Sequence, residues 1–415
     1  MGGGIERLSL RKRTFSSFKN PAYRLFYSGM LGQMAAMNMQ MVAGSLLIYR
    51  LTGSPAILGA MSFANAIPML SLSLFGGIIA DRLQKKYVML IGQAAFAVVS
   101  LGVALTLTVG YLSVEHAGSW WILVVSSVLQ GGIMGLMMPS RQAIIPEIVN
   151  GEQLMNAISL NIMGMNALQL FAPALAGFLI DAFDFEAVYY TMTGLYIMGV
   201  VFYAFLPLTR TTISRGIGAL DGIREGLNYV RHNTNIFLVL FFSLFVVLLA
   251  MPYNNLMPIF VDDILKVGAS GMGILMSVSG VGAIVASIPL ASLPNKKRGI
   301  MLLVSSLILG LALVAFSFSN SWPLSLALMA FVGLGQAGRM TLSSTLLQHY
   351  VKDEFVGRVM SLYLMQFGLT SFSAFAAGEL TEAIGVQWAV GGFAMALVFL
   401  SIMVLTFVPR LRKLD

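Results

Sequence analysis

The sequence predicts an all-α integral membrane protein with twelve transmembrane helices in two pseudo-symmetric six-helix bundles. Composition is the first reason. Of 415 residues, 58% are hydrophobic and only 10% are charged, against about 25% charged in an ordinary soluble domain. The second is length: the apolar residues form twelve runs, each about 20 residues or longer, which is what crossing a bilayer requires. The third is where the bases fall. All but three of the 25 Lys and Arg residues lie in segments on one side of the alternating spans, the exceptions being Arg50, Lys266 and Arg339. Basic loops stay in the cytoplasm, so this bias places both termini there, in a multi-pass protein of the cell inner (plasma) membrane.

Taken in order, residues 1–22 form a basic cytoplasmic tail with a surface helix from Phe15. Spans 1 to 6 run over 23–49, 55–80, 87–110, 120–143, 157–182 and 188–207, giving a first bundle of 23–207. A cytoplasmic linker, 208–234, follows, and within it Asp221 to Arg231 has the apolar spacing of a helix lying on the membrane surface. Spans 7 to 12 run over 235–260, 271–293, 299–318, 323–347, 357–381 and 388–408, giving a second bundle of 235–408, and 409–415 is a cytoplasmic tail. Prolines inside spans, such as Pro68, Pro173, Pro252 and Pro258, are tolerated because packed neighbours re-satisfy the freed backbone groups. The two halves echo each other. Val149-Asn-Gly-Glu-Gln-Leu-Met-Asn-Ala-Ile-Ser-Leu160 aligns without gaps on Val351-Lys-Asp-Glu-Phe-Val-Gly-Arg-Val-Met-Ser-Leu362, each ahead of the fifth span of its half. Such repeats are built into secondary transporters.

Between spans 2 and 3 stands Gly77-Ile-Ile-Ala-Asp81-Arg82-Leu-Gln-Lys85-Lys86, an acid and three bases squeezed between two long apolar runs. The spacing G-x-x-x-D-R-x-x-K-K resembles the loop between helices 2 and 3 of the major facilitator superfamily, with Gln84 where the family carries a second glycine. Arg224-Glu-Gly-Leu-Asn-Tyr-Val-Arg231, Glu152-Gln-Leu-Met-Asn-Ala157 and Gly357-Arg-Val-Met-Ser-Leu-Tyr363 resemble the branch that holds enterobactin exporters and macrolide efflux pumps, of the drug:proton antiporter type. Ala172-Pro173-Ala-Leu-Ala176-Gly177 partly resembles the antiporter motif of helix 5, with alanines at two glycine positions. The helix 4 arginine motif is absent, because Ser127 stands where its arginine would fall relative to Gln130-Gly131.

The resemblance implies the major facilitator fold and a gating latch. In that latch Asp81, with Gly77, Arg82, Lys85 and Lys86, would meet the start of span 11 at Gly357 and Arg358 and close the cytoplasmic side. The alternative is a solvated turn whose bases set topology. Arg339 is a cation deep in span 10, where insertion scales put the cost at about 2.5–3.5 kcal/mol, so it faces a cavity or partner or else snorkels. Gln336, Arg339 and Ser343 share one helical face. Gln33, Met37 and Gln40 on span 1, Gln130 and Met134 on span 4, Asn166 and Gln169 on span 5, and Asn254 and Asn255 on span 7 complete a mixed polar and methionine set. These line a substrate cavity or, residue by residue, bond helices together and fill gaps. Glu379 in span 11 is the acid that stands within a span and, with Asp81, a candidate for proton coupling, its alternative being an interfacial acid in outer water.

Several functions are excluded. With no cysteine, neither disulfides nor thiolate metal sites form, and His116, His232 and His349 make no ligand cluster. The basic first tail is not a cleavable signal, no nucleotide-binding fingerprint appears, and no nucleophile–base pair points to an enzyme. The expected protein needs no cofactor or metal and binds no nucleic acid. It is a monomer in the lipid bilayer, exporting an amphipathic small molecule by proton antiport and alternating access. Lysophospholipid or siderophore transport is the nearest alternative, and a transport-inactive receptor or assembly partner is the alternative of another class.

Overall fold

The computed structural model describes residues 16–116, 118–208, 219–292 and 297–415. The basic tail 1–15, the linker segment 209–218, and the side chains of Asp81 and Glu152 lie outside the described residues.

Helices account for every expected span. Span 1 is Pro21–Thr52, span 2 Pro55–Arg82, span 3 Lys85–Thr108 and span 4 Trp121–Ile148. Spans 5 and 6 form one helical run, Gly151–Ala204, broken at Asp184 (φ 65, ψ 179). Such positive φ values are uncommon for a residue with a Cβ, and this one reverses the chain. Span 7 is composite: Thr234–Ala250, then Pro252–Ile259 past a proline, then a π turn over Phe260–Ile264. Spans 8 to 12 are Gly268–Ser292, Arg298–Ser317, Trp322–Tyr350, Val356–Ile384 and Val386–Phe407. The linker holds the amphipathic helix Ala219–His232.

Among the described residues, 9 helices are long and apolar enough to cross a membrane by composition alone. Spans 1 and 10 miss that mark because they carry Gln33, Asn38 and Gln40 in one and Gln336 and Arg339 in the other. The continuous run through spans 5 and 6 counts once, although it is long enough to cross twice. Polar content inside a span is costly in lipid, so these helices are where internal partners are needed.

The chain divides into two compact units, 1–44 with 67–214 and 45–66 with 215–415. The second unit therefore includes residues 45–66, the ends of spans 1 and 2 with the turn between them. In the first unit, span 3 lies on span 6, with Phe96 stacked on Tyr196 at 5.2 Å and Ser100 Oγ donating to the Tyr189 carbonyl at 3.0 Å. Span 1 is bonded to span 5 by Tyr23 Oη, which donates to the Ala157 carbonyl at 2.9 Å and to Asn161 Oδ1 at 3.0 Å. Spans 2 and 4 cross where Gly76 meets Gly135, and a Cβ on Gly135 would stand 2.5 Å from the Met69 carbonyl. The second unit repeats the device between spans 8 and 10, where Gly282 lies on Ala330 and Gly333 on Ser279. Small residues let helix backbones approach closely in lipid, where no hydrophobic force drives helices together.

Candidate functional site

Polar side chains gather at three levels, and each is set by a local feature of the chain. At the ends of spans 1 and 2 away from the termini, Tyr49, Arg50 and Ser54 meet three carboxylates of the second unit. Arg50 Nε donates to Asp262 Oδ2 at 2.8 Å and its Nη2 to Asp262 Oδ1 at 3.0 Å. Tyr49 Oη donates to Asp263, and Ser54 Oγ to Glu382. The Ala56 amide also reaches Glu382, at 3.3 Å. The π turn at Phe260–Ile264 puts Asp262 and Asp263 side by side at the end of span 7, and such turns recur at functional sites. About two turns deeper, Ser62 Oγ donates to Asn255 Oδ1 at 2.6 Å, and Phe63 packs edge-on against Phe372 at 4.9 Å.

At the ends near the termini, the basic groups of the two units are each paired within their own unit. Lys85 Nζ sits 2.7 Å from Glu147 Oε1 at the end of span 4 and is nearly buried. Arg358 Nη1 sits 2.7 Å from Glu225 Oε2 of the linker helix. That helix is pinned further by Tyr229, whose ring stacks on Phe355 at 4.1 Å and 4° and whose hydroxyl accepts from the Lys352 amide at 3.2 Å. Of the other expected latch residues, Arg82 is exposed and Lys86 half-buried. A Cβ at Gly77 or Gly357 would meet no described atom within 4 Å.

In mid-span the expected amides are dispersed over several contacts. Gln33 is buried with its Nε2 4.0 Å from Met137 Sδ, and Gln40 Nε2 donates to Tyr189 Oη at 3.5 Å. Met37 and Gln130 are half-buried, Met134 is buried, and Asn166 and Gln169 are exposed on span 5. In the second unit Met251 Sδ receives both Asn254 Nδ2 at 3.5 Å and Gln336 Nε2 at 3.9 Å, joining spans 7 and 10. Ala172, Pro173, Ala176 and Gly177 are all buried in the helical stretch ahead of the break at Asp184. Glu379 is exposed, whereas Glu382, one turn on, is the span 11 acid with partners.

Arg339 is 0% exposed. Its Nη1 lies 3.5 Å from Ser243 Oγ, which in turn donates to Gln366 Oε1 at 3.1 Å. The structure therefore places this guanidinium inside the second unit, among spans 7, 10 and 11. Arg141, grouped in the sequence with the topology-setting bases, is also buried, with Nη1 3.8 Å from Met34 Sδ. Among the described residues no group of three or more acids and histidines converges as a metal site.

The model of the transmembrane secretion effector family, a branch of the major facilitator superfamily, matches residues 12–415. The chain belongs to that family. It is a membrane transporter of small molecules and not an enzyme. The staphyloferrin A transporter of Staphylococcus aureus is 22% identical over 332 residues, covering 79% of this chain and 82% of that protein. Macrolide efflux protein A of Streptococcus pyogenes is 22% identical over 414 residues, covering 94% of this chain and 97% of its own length. Among solved structures, the peptide transporter POT in complex with sulfate superposes with a TM-score of 0.74 at 14% identity over 95% of each chain, a likeness of fold.

Two features of this transporter were not singled out in its sequence, and a third was legible without its partner. Asp262 and Asp263 stand at a span boundary, where an acid reads as a loop residue, and only the π turn draws them into the helix. Glu147 and Glu225 read as ordinary charges near span ends. The amphipathic period of Asp221 to Arg231 was a visible signal for the linker helix, but not for its partner.

Proposed function

We propose that the protein is a secondary active exporter of amphipathic small molecules that works by alternating access coupled to proton antiport. The observation that carries this reading is the hold on residues 45–66. Three carboxylates, Asp262, Asp263 and Glu382, accept hydrogen bonds from Tyr49, Arg50, Ser54 and the Ala56 amide. Contacts of this kind, partly exposed to water, are weak enough to open and strong enough to re-form, as a gate at this end must. With both termini cytoplasmic, this end faces outside, and the hold is the outer gate of the alternating cycle; the antiport part of the reading rests on the family resemblance.

The complementary latch is Asp81 with Arg82 and Lys86 against Gly357 and Arg358. Arg358 must leave Glu225 to join it. The amides and methionines of spans 1, 4, 5, 7 and 10 supply adaptable contacts suited to varied amphipathic substrates.

The test is transport by purified protein in proteoliposomes. A panel of cationic, neutral and anionic amphipaths is run with and without an imposed pH gradient. Gradient-driven movement of at least one class is expected; movement indifferent to the gradient would overturn proton coupling. Siderophore transport is a second reading, favoured by the likeness to the staphyloferrin A transporter. Iron-chelator complexes therefore belong in the panel.

A further inference from the structure

We propose that the core of the second unit contains a binding site for a small monovalent anion or a carboxylate head group, built on Arg339 between spans 7, 10 and 11. This goes beyond the transport reading and does not depend on it.

The argument starts from a missing charge. Arg339 is fully shielded, and among the described residues it forms no ion pair with any carboxylate. Its single hydrogen bond among them is the long one from Nη1 to Ser243 Oγ at 3.5 Å, while Nε and Nη2 have no partner. A buried guanidinium cannot shed its proton as a lysine would, so its charge must be met by something.

The neighbours add donors. Ser343 Oγ, on the same face of span 10, and Gln366 Nε2 on span 11 are buried and likewise without a partner. The acceptors nearby are all neutral, although the Tyr363 and Ser343 hydroxyl oxygens keep lone pairs that can accept. Gln366 Oε1 takes the Ser243 hydroxyl at 3.1 Å, and Tyr363 Oη is turned to the Met340 carbonyl at 3.3 Å. Gln336 Oε1 is unpartnered, nearly one turn away on a half-buried side chain. A surplus of N–H and O–H groups around one full positive charge calls for an acceptor that is itself negative. Water would satisfy the donors but leave the charge unanswered.

Among the described residues no carboxylate forms an ion pair with Arg339. Glu379 lies on the same helix as Gln366 but about 20 Å further along at 1.5 Å per residue, and it is exposed. Size narrows the ligand class. Ser243, Arg339 and Ser343 are 0% exposed and Gln366 2%, so the site takes a halide or a single carboxylate, not a bulky polyanion.

The experiment is equilibrium binding of radiolabelled chloride to purified protein in detergent, at constant ionic strength balanced with a bulky sulfonate. Saturable binding of about one ion per chain is expected, lost in Arg339→Gln and weakened about tenfold in Ser343→Ala and in Gln366→Leu. The two milder variants keep the test decisive if Arg339→Gln does not fold. Displacement of chloride by formate but not by long-chain carboxylates identifies a site for a free small anion. Displacement by the long-chain carboxylates, or saturable binding of those without chloride, identifies a site for the head group of a larger molecule. Absence of saturable binding for chloride, formate and long-chain carboxylate alike overturns the proposal, as does binding unaffected in all three variants. No gradient or transport enters the measurement, so its failure and the failure of export are separate results.

Discussion

Arg50 grips Asp262 through two parallel hydrogen bonds, Nε to Oδ2 at 2.8 Å and Nη2 to Oδ1 at 3.0 Å. The planar fork of arginine matches a carboxylate in this way, and lysine does not. The pair fastens the end of span 1 to the π turn that ends span 7. With the Arg50 side chain 36% exposed and that of Asp262 19% exposed, screening by water limits its strength to about 1 kcal/mol. A contact of that size suits a latch that must open.

The first prediction concerns this latch. Arg50→Lys and Asp262→Asn should each raise, about fivefold, the rate at which a cysteine placed at Ser62 reacts with a soluble thiol reagent. The protein has no cysteine of its own, so the label reports that site alone. Combining the two substitutions should add little to either. Unchanged labelling in both single variants would remove the pair from the latch.

Lys85 and Glu147 behave differently because Lys85 is shielded, its side chain only 6% exposed. Removing one partner strands the other charge, at a cost of about 3 kcal/mol. Glu147→Gln should therefore lower the apparent melting temperature in detergent clearly. The double variant Lys85→Met with Glu147→Leu should recover most of that loss. A double variant as unstable as the single one would mean that the pair contributes through packing and not through charge.

The linker helix should hold by stacking more than by charge. Glu225 and Arg358 are both partly exposed, so their pair weakens in salt, whereas the Tyr229–Phe355 stack at 4.1 Å does not. Hydrogen exchange over residues 224–232 is expected to stay slow in 1 M salt, a concentration at which the screening length is about 3 Å. It should speed up in Tyr229→Ala. The opposite pattern would assign the attachment to the ion pair.

Asp81→Asn tests the complementary latch. If the carboxylate closes the terminal side, the variant should lose transport while its melting temperature stays near that of the parent protein, because a contact special to one state shifts populations without unfolding either. Full transport would reduce Asp81 to a turn residue.

Orientation is open to the same cysteine chemistry. Single cysteines at His116 and Ser321 should react with an impermeant reagent from outside whole cells. Those at Leu83 and Lys352 should react only after permeabilisation. The reverse labelling would invert the topology.

Span number and helical class were legible in the sequence because lipid leaves so few solutions. About 20 apolar residues must cross as helix, since every backbone N–H and C=O needs a partner inside the segment. The loop between spans 2 and 3, Gly77 to Lys86, pointed to the superfamily by its spacing together with its position, and the family match over 12–415 agrees with it. Partners were not legible. Nothing local tells that Lys85 turns to Glu147, that Arg358 turns to Glu225, or that Arg141 and Arg339 are both shielded. Charges one or two turns from a span end look alike in sequence, whether they meet water, lipid head groups or a neighbouring helix. Pairing depends on helix rotation and on crossings such as Gly76 on Gly135, which bring together residues far apart along the chain. The Asp262–Asp263 site shows the same division most sharply: composition supplied two acids beyond an apolar run, and a single π turn, with the tip of span 1 folded beside it, turned them into acceptors for Arg50 and Tyr49.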